Sequence, residues 1–208
     1  MLKLFYATGA CSLAPHIALE EVGATYEAVR VNMKDGEQRK PEYLKINPKG
    51  RVPALLTDRG VLTENPAILA YIAQSFPDAN LAPTGDAFAF AEMQAFNIFL
   101  TSSVHLTFTH AFRPERFGEG EAAAAAMRAK VPISLTEYFA LIEERLSDGR
   151  SWVHGETFSI SDPYLFVFSS WLQRGSFVDP ERIPQVLAHR ARVAARPAVR
   201  QVLAREGA

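Results

Sequence analysis

The sequence predicts an α/β domain over residues 1–78 followed by an all-helical domain over residues 87–208, with residues 79–86 as the linker. Three observations lead there. Short apolar runs broken by Gly, Pro and Asp, the pattern of strands and tight turns, are confined to the first third of the chain. From Ala87 onward strand signals stop and apolar residues recur at helical spacing. Between the two, Asp78 to Asp86 carries Pro83 and Gly85, a connecting composition. At 208 residues and 48% hydrophobic content, the chain is long enough for each part to bury a core.

The elements follow in order. Leu2 to Tyr6 is an apolar strand that ends at Thr8-Gly9-Ala10. Ile17, Ala18, Leu19 and Val22 then form a helical stripe within Pro15 to Val22. Tyr26 to Val31 alternates like a strand. Val52 to Thr57 and Val61 to Thr63 read as a hairpin turned by Asp58-Arg59-Gly60, and Pro66 to Phe76 as a helix stopped by Pro77. A strand-helix-strand start makes the first two strands parallel through a right-handed crossover. The second part reads as helices over Phe88 to Phe112, Glu121 to Leu146, Ile160 to Leu172, Ile183 to Ala194 and Val199 to Arg205. Pro132 lies inside the second of these and should kink it, because it lacks a donor and crowds the preceding turn.

A net charge of −1 provides no basic field for a phosphate backbone, so nucleic acid is not an expected partner. The start MLKLFYATGAC is too short in apolar residues for a signal peptide. No apolar run reaches the roughly 18 residues needed to span a membrane. The expected location is cytoplasmic, where a chain with one cysteine keeps a free thiol. The five histidines, at 16, 105, 110, 154 and 189, have no metal-ligand spacing, and no metal is expected. No G-x-S-x-G elbow or glycine-rich phosphate loop occurs.

The lone cysteine, Cys11, is the first candidate for chemistry. Free cysteine is usually a small buried hydrophobe. Here it stands between the first strand and the first helix, where unpaired N–H groups and the helix dipole favour a thiolate. With no second cysteine, a redox cycle needs a partner thiol from elsewhere. Val52-Pro53 enters a strand, as an ordinary edge proline or as a cis bond that turns the Val52 backbone outward toward another peptide. Glu64-Asn65-Pro66 opens a helix, with Asn65 as the expected cap. The same N–H groups, the Asn65 amide and the Glu64 carboxylate also suit the head of an amino acid.

The stretches GACSLAPHIALEEVG, YLKINPKGRVPAL, LTENPAILAYIA and FSISDPYLF together resemble the cytosolic glutathione transferases, most closely their bacterial beta class, over nearly all 208 residues. The resemblance implies a thioredoxin-like first domain, an all-helical second domain and a homodimer. It also implies glutathione as co-substrate, with a hydrophobic electrophile as the other. Cys11 and His105 are then the catalytic candidates: Cys11 faces the glutathione sulfur, and His105, in LTSSVHLTF, reaches the same region. Val52 would bind the cysteinyl backbone beside a cis Pro53, and Glu64 and Asn65 the γ-glutamyl group. Many relatives have Ser where Asn65 stands, and Lys where Leu106 follows the histidine. Lys34, ahead of Arg39 and Lys40, is the expected partner of the glycyl carboxylate. Ser103 is expected at glutathione in the facing subunit.

Ser159 and Asp162 have capping-box spacing and a structural role. Aromatics such as Phe96, Phe99, Phe108, Phe112, Tyr138 and Phe139 recur at helical spacing and mostly mean core. Tyr164, Phe168 and Trp171 can instead line an apolar cleft between the domains. The leading expectation is an enzyme that presents the glutathione thiolate to electrophiles, or exchanges disulfides or reduces peroxides through Cys11. The alternative is a non-catalytic scaffold of the same fold.

Overall fold

Four strands form one sheet in the computed structural model, which describes residues 1–207. They are β1 (Leu2–Tyr6), β2 (Tyr26–Arg30), β3 (Ala54–Thr57) and β4 (Gly60–Thr63), in spatial order β2-β1-β3-β4. β1 runs parallel to β2, with Leu4 opposite Ala28. It runs antiparallel to β3, with Leu4 opposite Leu55, and the β3–β4 hairpin pairs Leu55 with Leu62. The period of two sorts the side chains: Leu4 and Tyr6 enter the large core, whereas Phe5 and Ala54 join a smaller cluster with Val31, Tyr43 and Val52.

Helix α1 (Leu13–Glu21) crosses from β1 to β2. It begins two residues before the sequence expectation because Pro15 falls in the first turn, where a missing N–H costs no helical bond. Leu13 through Leu19 are all buried, so the helix is surrounded rather than amphipathic. It packs on α3 (Asn65–Ser75) and, from the other half of the chain, on α7 (Ser161–Trp171) and α9 (Pro197–Glu206). The short α2 (Pro41–Leu44) sends Tyr43 into the smaller cluster, where its ring meets Phe5 edge-on.

The run expected as one helix over Phe88 to Phe112 has three parts: α4 (Ala87–Phe99), a π-helical stretch (Leu100–His105) and α5 (Leu106–Phe112). A 3.6-residue period cannot reveal the wider turn, and such turns gather at functional sites. Asp86 caps α4, accepting from the Phe88 and Ala89 N–H groups at 2.9 and 3.0 Å. The 27-residue α6 (Gly120–Leu146) continues through Pro132. Pro132 lacks the N–H that would bond the Arg128 carbonyl, and both residues lie on the exposed face of the helix. α8 (Pro184–Ala195) completes the bundle.

Asp162, fully buried near the start of α7, ties three segments together. Its Oδ2 accepts from the Ser159 N–H at 2.7 Å and the Ser159 hydroxyl at 2.8 Å. Its Oδ1 accepts from the Val153 N–H and meets His189 Nε2 of α8, each at 2.8 Å. This goes beyond a capping box: the carboxylate joins a loop, a helix start and a neighbouring helix. Among the described residues, no helix is long and apolar enough to cross a membrane.

Candidate active site

The loop after β1 is shaped by Gly9 and Ser12. Gly9 has φ +67°, a left-handed backbone that favours glycine, and a Cβ there would stand 2.9 Å from Arg174 Nη2, which would have to move aside. Its carbonyl accepts from Trp171 Nε1 at 3.0 Å and Arg174 Nη2 at 2.6 Å, which anchors the loop to the helical half. Ser12 Oγ accepts from the Ala7 N–H at 3.1 Å and donates to the Ala7 carbonyl. The result is a fixed, buried Cys11, 8% exposed, whose thiol donates to the Val52 carbonyl across 3.7 Å.

Val52 is itself held from behind. The Tyr43 hydroxyl and the Asn47 amide both donate to the Arg51 carbonyl at 2.7 Å. The Val52-Pro53 bond is cis, the second of the two sequence readings, and Pro53 stands just outside β3. At the end of β4, Glu64 has φ +71°, a left-handed conformation that a non-glycine residue seldom adopts outside functional sites. Lys49 Nζ donates to Glu64 Oε1 at 2.6 Å and to Thr63 Oγ1 at 3.0 Å. Asn65 is the first residue of α3 rather than its cap, because Glu64 occupies the capping position. The Asn65 side chain is therefore not spent on capping: it is buried beside Cys11 and Tyr164 on one cleft, and its Oδ1 has no hydrogen-bond partner. A buried acceptor without a donor costs free energy unless a ligand supplies one.

These residues line a cleft of about 560 Å³ between the sheet and the helical half. Cys11, Val52, Pro53, Glu64, Asn65 and His105 all line it. Lys34 and Ser103 do not. Lys34 is exposed on the loop after β2, as are Arg39 and Lys40, and Ser103 lies on the π-helical stretch with its carbonyl bonded to Thr107. The cations that do line the cleft are Arg51, beside Val52, and Arg113, Arg116 and Arg174 of the helical half. The signal for Arg51 was its place directly before Val52-Pro53. Of the aromatics considered for the cleft, Phe112, Tyr164 and Trp171 line it, whereas Phe168 is fully buried behind them. Thr101, missed from sequence, hydrogen-bonds the Tyr164 hydroxyl at 2.8 Å. Among the described residues no group of three His, Cys, Asp or Glu side chains gathers as a metal site.

The electrostatics reverse one expectation. Burial pushes the Cys11 thiol up to about 11 and outweighs the favourable Asn65 hydrogen bond. Without a ligand, Cys11 is a protonated donor and not the acid-shifted thiolate that its place before a helix suggested. His105 is held down to about 4, first by burial and then by the charges of Arg51 and Arg116, so its imidazole is neutral at neutral pH. The His105 ring packs 5.4 Å from Phe168 and 5.3 Å from Trp171.

The chain matches the family models "Glutathione S-transferase, N-terminal domain" over residues 1–74 and "Glutathione S-transferase, C-terminal domain" over residues 102–197. It is 36% identical over 209 residues to glutathione S-transferase GstA of Escherichia coli O157:H7, covering 99% of each chain. Among solved structures it is similar to a glutathione transferase homologue from Sulfitobacter with bound glutathione, at 38% identity and TM-score 0.91, covering 99% of this chain and 98% of that one. It is also similar to the bacterial beta class glutathione S-transferase of Sphingomonas chungbukensis, at 38% identity and TM-score 0.85, covering 99% and 98%. A thioredoxin-like four-stranded sheet followed by a mostly helical second half, meeting at one cleft, is the architecture that these family models describe. The chain belongs to the glutathione S-transferase family and is a glutathione S-transferase enzyme.

Proposed function

We propose that glutathione lies in this cleft, its cysteinyl backbone against Val52, its γ-glutamyl group on Glu64 and Asn65, and its sulfur between Cys11 and His105. The observation that carries the reading is the convergence of these residues, with Pro53, from four separate segments on one cleft. The donor-less Asn65 Oδ1 offers an acceptor to the γ-glutamyl ammonium, and the N–H groups opening α3 favour its carboxylate. Arg51, the lining arginine adjacent in sequence to Val52, rather than Lys34, is the cation for the glycyl carboxylate.

A bound glutathione would take the Val52 carbonyl with its cysteinyl N–H. Cys11 would then lose its acceptor, and its S–H would turn to the glutathione sulfur and stabilise a thiolate there. That thiolate attacks the electrophilic carbon of a hydrophobic co-substrate. A C–S bond forms, the leaving group departs with its electron pair, and the glutathione proton passes to water. With glutathione disulfide instead, Cys11 gives up its proton to water and its sulfur attacks one sulfur of the disulfide; a Cys11–glutathione S–S bond forms as the disulfide S–S bond breaks, and the other glutathione leaves as a thiolate that takes up a proton.

Retention on glutathione-agarose with elution by free glutathione, followed by conjugation of 1-chloro-2,4-dinitrobenzene, tests the reading. Retention and turnover are the expected results; absence of both would favour the non-catalytic scaffold. Cys11→Ala with intact conjugation but no disulfide exchange would restrict Cys11 to redox chemistry. We also infer a cytoplasmic homodimer in which Ser103 approaches the facing subunit's glutathione. The mass by light scattering tests it.

A further inference from the structure

The cleft has a second feature that glutathione does not explain. Its helical wall carries the segment Phe112-Arg113-Pro114-Glu115-Arg116-Phe117, in which two arginines alternate with two exposed phenylalanines around a buried proline. Phe112, Arg113, Arg116 and Phe117 all line the cleft, while Glu115 does not. Leu106, where the family often has a lysine, is exposed on the same wall. Arg113 and Arg116 have no carboxylate partner among the described residues. Arg174, by contrast, is committed: it donates to the Gly9 carbonyl and lies over the Phe112 and Trp171 rings. The single carboxylate on the cleft wall, Glu64, is held by Lys49 on the opposite side.

Unpaired guanidinium groups gathered in one place repel one another. Burial first, and then the charges of Arg113, Arg51 and Arg39, hold the Arg116 guanidinium below its usual range, with Glu115 opposing them. An anion placed between Arg113 and Arg116 relieves that repulsion, and the flanking phenylalanines add apolar contact for a ring attached to it. Glutathione, with its carboxylates at Asn65 and Arg51, leaves these two groups unmatched.

Building on that glutathione reading, we propose that the co-substrate is an anionic aromatic electrophile, its ring against Phe112 and Phe117 and its carboxylate, or an equivalent anion, between Arg113 and Arg116. The site then selects for charge as well as hydrophobicity, because a neutral ring leaves both guanidinium groups unpaired.

Two unreactive glutathione conjugates of nearly equal shape test this by calorimetry, without any dependence on turnover: S-(4-carboxybenzyl)glutathione and the neutral S-(4-nitrobenzyl)glutathione. At low ionic strength the carboxylate conjugate is expected to bind about tenfold tighter, and the ratio to shrink as salt screens the charges. In R113Q/R116Q the ratio should fall to within about threefold of one, and R116Q alone, at an exposed position, should give an intermediate value. A ratio near one in the unaltered protein, or one that the double substitution leaves intact, overturns the proposal while glutathione binding stands. If neither conjugate nor glutathione binds, both readings fall.

Discussion

The Cys11 thiol and the Val52 carbonyl oxygen stand 3.7 Å apart, so the single thiol of the unliganded protein is spent on the backbone group that glutathione is proposed to occupy. With the thiol pushed up to about 11, the rate of Cys11 alkylation by iodoacetamide should climb steadily with pH and show no plateau below pH 9. Intact mass against time reads this directly, since there is one cysteine to label. Glutathione should protect it. A midpoint at or below the ordinary value of about 8.5 would mean that the helix start dominates after all.

Two histidines set the acid limit of stability. His105 is held down to about 4 by burial and by Arg51 and Arg116, and His154 to about 4 by burial and by Arg145, from an ordinary 6.5. Below 6.5 the unfolded chain binds protons that the folded chain refuses, so this contribution is complete above pH 6.5 and is lost as pH falls toward 4. Urea midpoints across that window should decline, and His154→Gln should flatten the decline. Imidazole NMR resonances for His105 and His154 that titrate near 6.5 would contradict the assignment.

Asp162 should matter far more than a helix cap. Asp162→Ala leaves the Val153 and Ser159 N–H groups, the Ser159 hydroxyl and His189 without their acceptor in the core. We expect a loss of about 3 kcal/mol or more in urea titration, against about 1 kcal/mol for Ser159→Ala. Equal effects of the two substitutions would refute the hub.

His16 Nδ1 lies 2.7 Å from Glu206 Oε1, and both side chains are fully buried, joining α1 to the last helix. Glu206→Ala removes this bond and opens a polar void beside His16; the expected cost is about 3 kcal/mol, with glutathione affinity changed little in the protein that remains folded. Denaturant unfolding with parallel glutathione calorimetry separates the two effects. A loss of glutathione affinity with unchanged stability would place Glu206 at the ligand instead.

The architecture was legible because its signals are local. The parallel first pair followed from the strand-helix-strand start and the crossover rule, the β3–β4 hairpin from its turn, and the helices from apolar spacing, whereas the pairing of β1 with β3 was not foreseen. What stayed hidden was set by distant contacts. Nothing adjacent to Leu100 or His105 marks a π-helical stretch. Cys11 at a helix start suggested a low pKa, yet burial by segments over forty residues away decides the sign. Asn65 looked like a cap until the unusual φ of Glu64 shifted the helix start by one residue. Arg51 was visible beside Val52-Pro53, but its approach to the cleft depends on Tyr43 and Asn47 holding its carbonyl. Arg113 and Arg116 drew no reading from the sequence; the short turn after α5 brings them to the wall.

The burial of α1 on every side means that the chain's two named parts are not separate modules. Ala14, Ile17 and Ala18 are 0% exposed only because α7 and α9 cover the side that the sheet does not. Residues 1–78 made alone would carry an oily stripe facing water, and grafting them onto an unrelated helical partner would leave it uncovered. Exchange of parts between relatives therefore has to carry α1, α7 and α9 together, across a seam that the linear order of the chain does not reveal.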